Sequence, residues 1–454
     1  MLINLDGPTI ANSFKQNLST FSFVHQPDIR DINTQLDKLA DLIVRRGTRI
    51  NHSHSTKTDA AVWLWDYFVS HALKSITTNT RGYHNLSEYF KQYTHYENVL
   101  FSIDENHRDH VIHSIWVMMI GFYLINNCRP LKLPYSYPFT RVKDLETIPD
   151  SLFEAMEIMS GKANVLWTLI SLTHDLGYPI QKTIIANDVL SRMISNFGFL
   201  EQTDFSYQFT VLHQTAIDEL LNTLSTVITW VPGGSYKLGV EPGNRLDYSK
   251  SFERLDHGIM SAYLIQRYLD FICDTMSWIR DIPEYVKNDS QEAALKGLII
   301  DWLSAIADHT SDNKYFSSLA GCSELLIISD ELDEFSRYAH GRYYDTWVSV
   351  VCNPRINCTK QSLIFIYEFI DRTHAETLAF FKSKIFRLID RFVLSETSLR
   401  KISIKCLNSS SEPLDNVGYY FEKRFDTGDG FVKRLYGQQT DDVRGFLIGA
   451  INLH

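Results

Sequence analysis

The chain predicts a mainly α fold: a helical core over residues 96–344, an N-terminal, mostly helical extension over 1–95, and a small C-terminal α+β unit over 345–454. Three observations predict it. Apolar residues recur at helical spacing through most of the middle of the chain. The joints between those stretches are Pro/Gly-punctuated or polar, such as RINHSHSTKTD. After about residue 345 the pattern changes, and TWVSVVC, SLIFIYEF and ISIKCL read as strands.

Taken in order, residues 60–73 carry a helical period and predict a helix that caps the next unit. The core then reads as helices over 112–125, 152–173, 184–197, 208–229, 256–276, 289–310 and 322–338. The helix from 289 begins with a capping-box-like Asp289–Ser–Gln–Glu292 and repeats Leu295, Ile299, Trp302 and Ile306 on one face. Two irregular insertions interrupt this block, CRPLKLPYSYPFTRVKDLETIPD at 128–150 and WVPGGSYKLGVEPGNRLDYSK at 230–250. Loops of this kind often cover substrates. An amphipathic helix over 376–392 separates the last two predicted strands.

Bulk composition narrows the classes of function. With 454 residues, 44% hydrophobic and 22% charged, the chain can bury a large core. A formal net charge of −10 disfavours nonspecific grip on nucleic acid, so an anionic substrate must be held locally by metal ions or a few Lys and Arg. The N-terminal MLINLDGPTIANS lacks the basic and apolar regions of a secretory signal. The longest apolar stretch, 112–125, is too short to span a bilayer and contains His113. Six cysteines without CxxC spacing read as reduced thiols, and the expected location is cytoplasmic with no membrane partner.

Ionisable residues then stand out on apolar helical stripes. In LTHDLGYPI, His174 and Asp175 sit side by side where the apolar VLWTLISL ends. His113 shares a face with Val117, Ile120 and Leu124. His257 opens HGIMSAYLI, His309 ends the stripe from Trp302 to Ile306, and Asp330 follows Leu326 and Ile327. Unpaired burial of such groups costs several kcal/mol, roughly 2–7 for a polar group and more for a charge. Each therefore needs a hydrogen-bond partner in the core, a catalytic partner or a metal. A divalent ion would satisfy them together, because helix ends hold imidazoles and carboxylates rigidly and the ion neutralises buried charge. A lone His on an apolar face is more often a hydrogen-bonded core residue, and sixteen His in the chain give chance some room. His107 and His110 share the neighbourhood of His113 at three-residue spacing.

RDHVIHSIWVMMIG, LTHDLGYPIQK, LDHGIMSAYLI, AIADHT and LLIISDELDEFSR, in this order, resemble the motifs of the HD-domain metal-dependent phosphohydrolase superfamily. The likeness covers the 96–344 block and implies a helical HD-domain core. It implies the ligand set His113, His174, Asp175, His257, His309 and Asp330, with Asp175 bridging two divalent ions of Mn, Fe, Ni, Co or Zn. The two added histidines are similar to those of the two-metal branch, which includes cyclic-dinucleotide phosphodiesterases, a diadenosine tetraphosphate hydrolase and a diiron inositol oxygenase. Two positions depart from the pattern. Tyr178, followed by Pro179, stands where many relatives have Lys, and Thr310 follows His309 where the cyclic-di-GMP enzymes have a second His.

The resemblance implies a phosphohydrolase or phosphodiesterase. It would attack a nucleotide-type phosphoester or phosphoanhydride with a hydroxide shared by two metals. His110 or Lys182 would protonate the leaving group. Arg108, Arg337, Lys250 and Arg254 lie near the motifs as further candidates for gripping phosphate. The same ligands also suit a diiron oxygenase. A nucleotide-binding signalling module without turnover, or a helical scaffold with hydrogen-bonded core histidines, are the non-enzymatic alternatives.

Overall fold

A computed structural model describes residues 2–41, 44–45, 48–49, 53–103, 109–128, 131, 140–142, 150–196, 210–230, 236–276, 286–287, 290–311, 314–316, 319, 321–334, 338–340, 347–349, 352–370, 373–394, 399–409, 417–425 and 430–434. His107, Arg108, Arg337, Asp289 and most of the 128–150 insertion lie outside these residues. The N-terminal part holds β1 (Leu2–Asn4), α1 (Gly7–Asn17), α2 (Ile29–Leu39), the pair β2 (Val44–Arg45) and β3 (Thr48–Arg49), α3 (His54–Ile76) and α4 (Tyr83–Ile103). The central part contains α5 (His110–Asn127), β4 (Thr140–Val142), α6 (Asp150–Gly161), α7 (Ala163–Thr173), α8 (Tyr178–Ser195), α9 (Val211–Leu224), β5 (Thr226–Trp230), β6 (Tyr236–Val240) and α10 (Pro242–Glu253). It continues with α11 (His257–Tyr268), α12 (Asp270–Met276), β7 (Val286–Lys287), α13 (Ser290–Asp308) and α14 (Cys322–Leu332). The C-terminal part has β8 (Tyr338–His340), β9 (Trp347–Ser349), β10 (Cys352–Cys358), β11 (Ser362–Ile370), α15 (His374–Lys384), β12 (Lys401–Ser409), β13 (Val417–Arg424) and β14 (Gly430–Arg434). The fold is mainly α.

Helix α5 is the centre of the core. It is buried almost all round, from His110 to Phe122, and packs between α3, α7 and α14. Its start is set by Asp109, whose carboxylate accepts from the Ile112 backbone N–H at 2.6 Å. Gly121 lets α7 come close: a Cβ there would lie 2.0 Å from the Trp167 ring, and Trp167 Nε1 donates to the Met118 carbonyl at 3.0 Å. Helix α13 packs on α6, α7, α11 and α14 from the other side. No helix among the described residues is long and apolar enough to cross a membrane.

Several predicted helices are shorter in the structure. The helix expected over 208–229 ends at Leu224, and the β-branched run Thr226, Val227, Ile228 and Thr229 forms β5 instead. The described residues of the 230–250 insertion are regular: β6 pairs antiparallel with β5, and Pro242 then opens α10. The 152–173 stretch divides after Gly161, and 256–276 divides at the extended Leu269. The last core helix stops at Leu332, and Tyr338 belongs to β8.

The C-terminal sheet has the order β1-β10-β11-β12-β13-β14, so the first strand of the chain pairs with β10. Strands β11 and β12 are parallel, which requires a crossover, and α15 supplies it while packing on β12 and β13. Period-2 burial gives the inward face: Leu363, Phe365, Tyr367 and Phe369 on β11, Ile402, Ile404 and Cys406 on β12.

Candidate metal centre

The turn after α7 carries His174 and Asp175, and its backbone is held from every side. Trp65 Nε1 donates to the Leu172 carbonyl at 2.6 Å, and Tyr89 Oη to the Leu176 carbonyl at 2.7 Å. Ser261 Oγ accepts from the Gly177 N–H at 2.7 Å and lies 2.6 Å from the His174 carbonyl. Trp302 Nε1 donates to Thr173 Oγ1 at 3.0 Å. Burying these partners on four helices explains why an ionisable doublet can sit at so fixed a position.

Around that turn the four predicted histidines and two aspartates converge. Asp175 Oδ2 lies 3.3 Å from His174 Nε2 and 3.9 Å from His113 Nε2. Its other oxygen, Oδ1, lies 3.4 Å from His257 Nε2 and 3.6 Å from His309 Nε2. The candidate ligand atoms of His113, His174 and Asp175 fall within 4.8 Å of one another, as do those of Asp175, His257 and His309. Asp330 Oδ1 lies 2.8 Å from His113 Nε2, on the first group's side. One carboxylate thus faces two separate imidazole pairs, one with each oxygen.

The outer nitrogens of the four rings are engaged. His113 Nδ1 meets Asp333 Oδ2 at 2.6 Å, His174 Nδ1 the Ser171 carbonyl at 2.8 Å, and His257 Nδ1 Gln181 Oε1 at 2.9 Å. His309 Nδ1 donates to the Ile306 carbonyl. These acceptors place the proton on Nδ1 and turn the Nε2 lone pairs inward, the tautomer that binds a metal. The buried Nε2 atoms of His174 and His309 have no hydrogen-bond partner. Burial pushes His257 down to about 3 against the pull of Asp175, so its ring is neutral. Burial works to raise the Asp175 carboxyl, but the surrounding imidazoles, His174 first, outweigh it and hold it well below the usual range. Two buried nitrogens without partners, inward-turned imidazole nitrogens and a carboxylate between them fit two divalent cations. Mixed N/O donors suit transition metals better than Ca.

His110 and Lys182 meet at Tyr178. The His110 ring stacks on Tyr178 with centroids 3.7 Å apart, and Lys182 Nζ lies 5.2 Å above the same ring. Glu97 Oε1 contacts His110 Nδ1 at 3.1 Å and accepts its backbone N–H at 2.8 Å. Burial pushes the Glu97 carboxyl well above its ordinary value, with Asp109 and Asp175 adding to the rise. Tyr178 also meets the His257 ring edge-on at 5.5 Å. Lys250 and Arg254 lie on and just after α10: Lys250 is 3.7 Å from Asp247, and Arg254 pairs with Asp256 at 2.8 Å.

Sequence reading missed Asp333, Gln181, Glu97 and Arg391. Asp333 lies three residues after Asp330, near its neighbour on the helical surface, and that spacing is a usable signal. The others are joined to their partners only by tertiary packing. Arg391, from the segment after α15, donates to the Asp308, His309 and Ser311 carbonyls and so caps the end of α13 that carries His309.

The close approach of α11 gives a direct test. A Cβ on Gly177 would lie 2.3 Å from the His257 carbonyl oxygen and 2.6 Å from the Ser261 nitrogen, both backbone atoms. Gly177→Ala is expected to cost about 1–3 kcal/mol of stability and to weaken metal binding, as α11 is pushed away. Thermal unfolding and metal content measure both, and a variant unchanged in each would contradict this packing.

No protein-family profile matches the chain, nor does any curated protein or solved structure.

Proposed function

We propose that the protein is a two-metal phosphohydrolase of the HD-domain type, acting on a nucleotide-type phosphoester or phosphoanhydride. The observation that carries the reading is Asp175, whose two oxygens each face a different pair of imidazoles, 3.3 and 3.9 Å away on one side and 3.4 and 3.6 Å on the other. The ordered motifs around these residues support the superfamily resemblance.

When bound, two divalent cations lower the pKa of a water towards neutrality and offset charge that grows on phosphoryl oxygens. The chain's residues do the rest. His113, His174 and Asp330 would hold one ion, His257 and His309 the other, with Asp175 common to both. Asp333, Gln181 and the helical carbonyls keep each ring aimed inward. Glu97 fixes His110 at Nδ1, so proton delivery to the leaving oxygen falls to the other ring nitrogen, or to Lys182 beside the same tyrosine.

Elemental analysis of the purified protein, paired with a phosphoester and nucleotide panel under anaerobic Mn, tests the reading. About two equivalents of transition metal and phosphate release are expected. Dioxygen uptake with an EPR-active mixed-valent iron pair would favour the oxygenase, and two metals without turnover the binding module.

Chelation supplies a further expectation. Ions bound only by the folded state stabilise it by about 2.7 kcal/mol for each site at a hundredfold its Kd. Added EDTA should therefore lower the unfolding midpoint, and Mn or Zn should restore it. A midpoint indifferent to both would favour hydrogen-bonded core histidines.

A further inference from the structure

A cleft of about 560 Å³ opens beside the metal ligands, with His257, His309 and Asp330 at its inner end. Its size is that of a small-molecule site. The opposite wall comes from α15 and the helical turn at Ile385–Ile389. We propose that this cleft is a nucleotide channel. Tyr315 and Phe386 offer their rings to the base, and Arg387 with Lys382 hold phosphates beyond the one being cleaved. The proposal rests on the hydrolase reading and names its substrate recognition.

Two features of the wall argue for it. Large aromatic side chains are normally covered, yet Tyr315 is 63% and Phe386 39% exposed, and both line this one concave surface. Exposed aromatics next to positive charge form the surface on which bases stack without strong sequence preference. The positive charge is Arg387, with a side chain 62% exposed and its Nη1 a loose 3.8 Å from Glu331, together with Lys382. Arg391 is excluded, because its guanidinium is committed to the carbonyls that end α13. Of the four acidic residues that line the cleft, Asp330 is turned to His113 and two others have cations of their own. Glu331 is bound by Lys384 at 2.6 Å and Asp256 by Arg254 at 2.8 Å.

Calorimetric titration of the full-length protein in EDTA tests the wall apart from the metals. The probes are ATP, GTP, CTP and UTP, with tripolyphosphate as the base-free control. At least one nucleotide should bind about tenfold more tightly than tripolyphosphate. Phe386→Leu and Tyr315→Ala should remove that preference and leave tripolyphosphate binding within about twofold. Arg387→Ala should weaken all five probes by about threefold or more and flatten their salt dependence. A nucleotide preference absent in the native protein, or intact in both aromatic variants, overturns the proposal. Metal content and tripolyphosphate hydrolysis in Mn, measured on the same preparation, separate the two failures. Two metals and turnover without a base preference would sink the nucleotide channel alone, whereas absent metal would sink the hydrolase reading beneath it.

Discussion

Replacing Asp175 by Ala is expected to empty both metal positions and abolish phosphoester turnover. Its carboxylate turns one oxygen towards His174 and His113 and the other towards His257 and His309. Its loss leaves four inward Nε2 lone pairs with no shared anion to offset the charge of two cations. Residues that merely orient metal ligands change affinity by about 10–100-fold, so loss of the shared carboxylate should exceed a hundredfold. Asp175→Asn keeps the shape but removes the charge, and it should behave nearly as Ala does if charge compensation dominates. Metal content by elemental analysis and circular dichroism of the same samples separate an empty site from an unfolded protein. A folded Asp175→Ala protein that keeps its metals and its turnover would defeat the assignment.

The second large effect is expected far from the ligands in sequence. Lys384→Met should destabilise the protein by about 3–5 kcal/mol, the range for breaking a buried ion pair from one side. Lys384 is a buried cation with all three donors used: Glu331 Oε2 at 2.6 Å, the Glu331 carbonyl at 2.7 Å and Glu334 Oε1 at 2.6 Å. Burial works to lower its pKa, but Glu331 and Glu334 overcome that and hold it above the ordinary lysine value. Its stabilising contribution is therefore fully present below the unfolded value and is lost only as pH rises through the folded one, in alkali. The substitution leaves two buried carboxylates without their cation at the end of α14, the helix that presents Asp330 and is followed by Asp333. Metal affinity should fall along with stability. By contrast, Lys91–Glu88 has both side chains about half exposed, and Lys91→Met should change the midpoint little. Chemical denaturation measures the pair of variants, and equal midpoints would refute the account.

That coupling bears on how the molecule is organised. The C-terminal part grips the ligand-bearing helices through Lys384 of α15 and Arg391 just after it, and the first strand of its sheet is the Leu2–Asn4 segment at the other end of the chain. Residues 2–4 gave no sequence signal for this role, because an edge strand of three residues has too few side chains to display a period. The strand at Thr226–Trp230 shows the opposite weakness. Its apolar residues continue the spacing of the preceding helix, and only β-branching marked the change.

What the sequence determined by itself was the chemical inventory and its placement on helices: His113, His174–Asp175, His257, His309 and Asp330 each fall on an apolar stripe or at its end, where burial without partners is too costly to be incidental. Helical period is a local property, so those positions could be read from neighbours three and four residues away. Only the tertiary structure decided that Asp175 divides its oxygens between two imidazole pairs, that Asp333 and Gln181 set the ring orientations, and that α15 walls the adjacent cleft. Those arrangements join residues as many as 220 positions apart, and they depend on backbone approaches, such as α11 against Gly177, that leave no periodic trace in the chain.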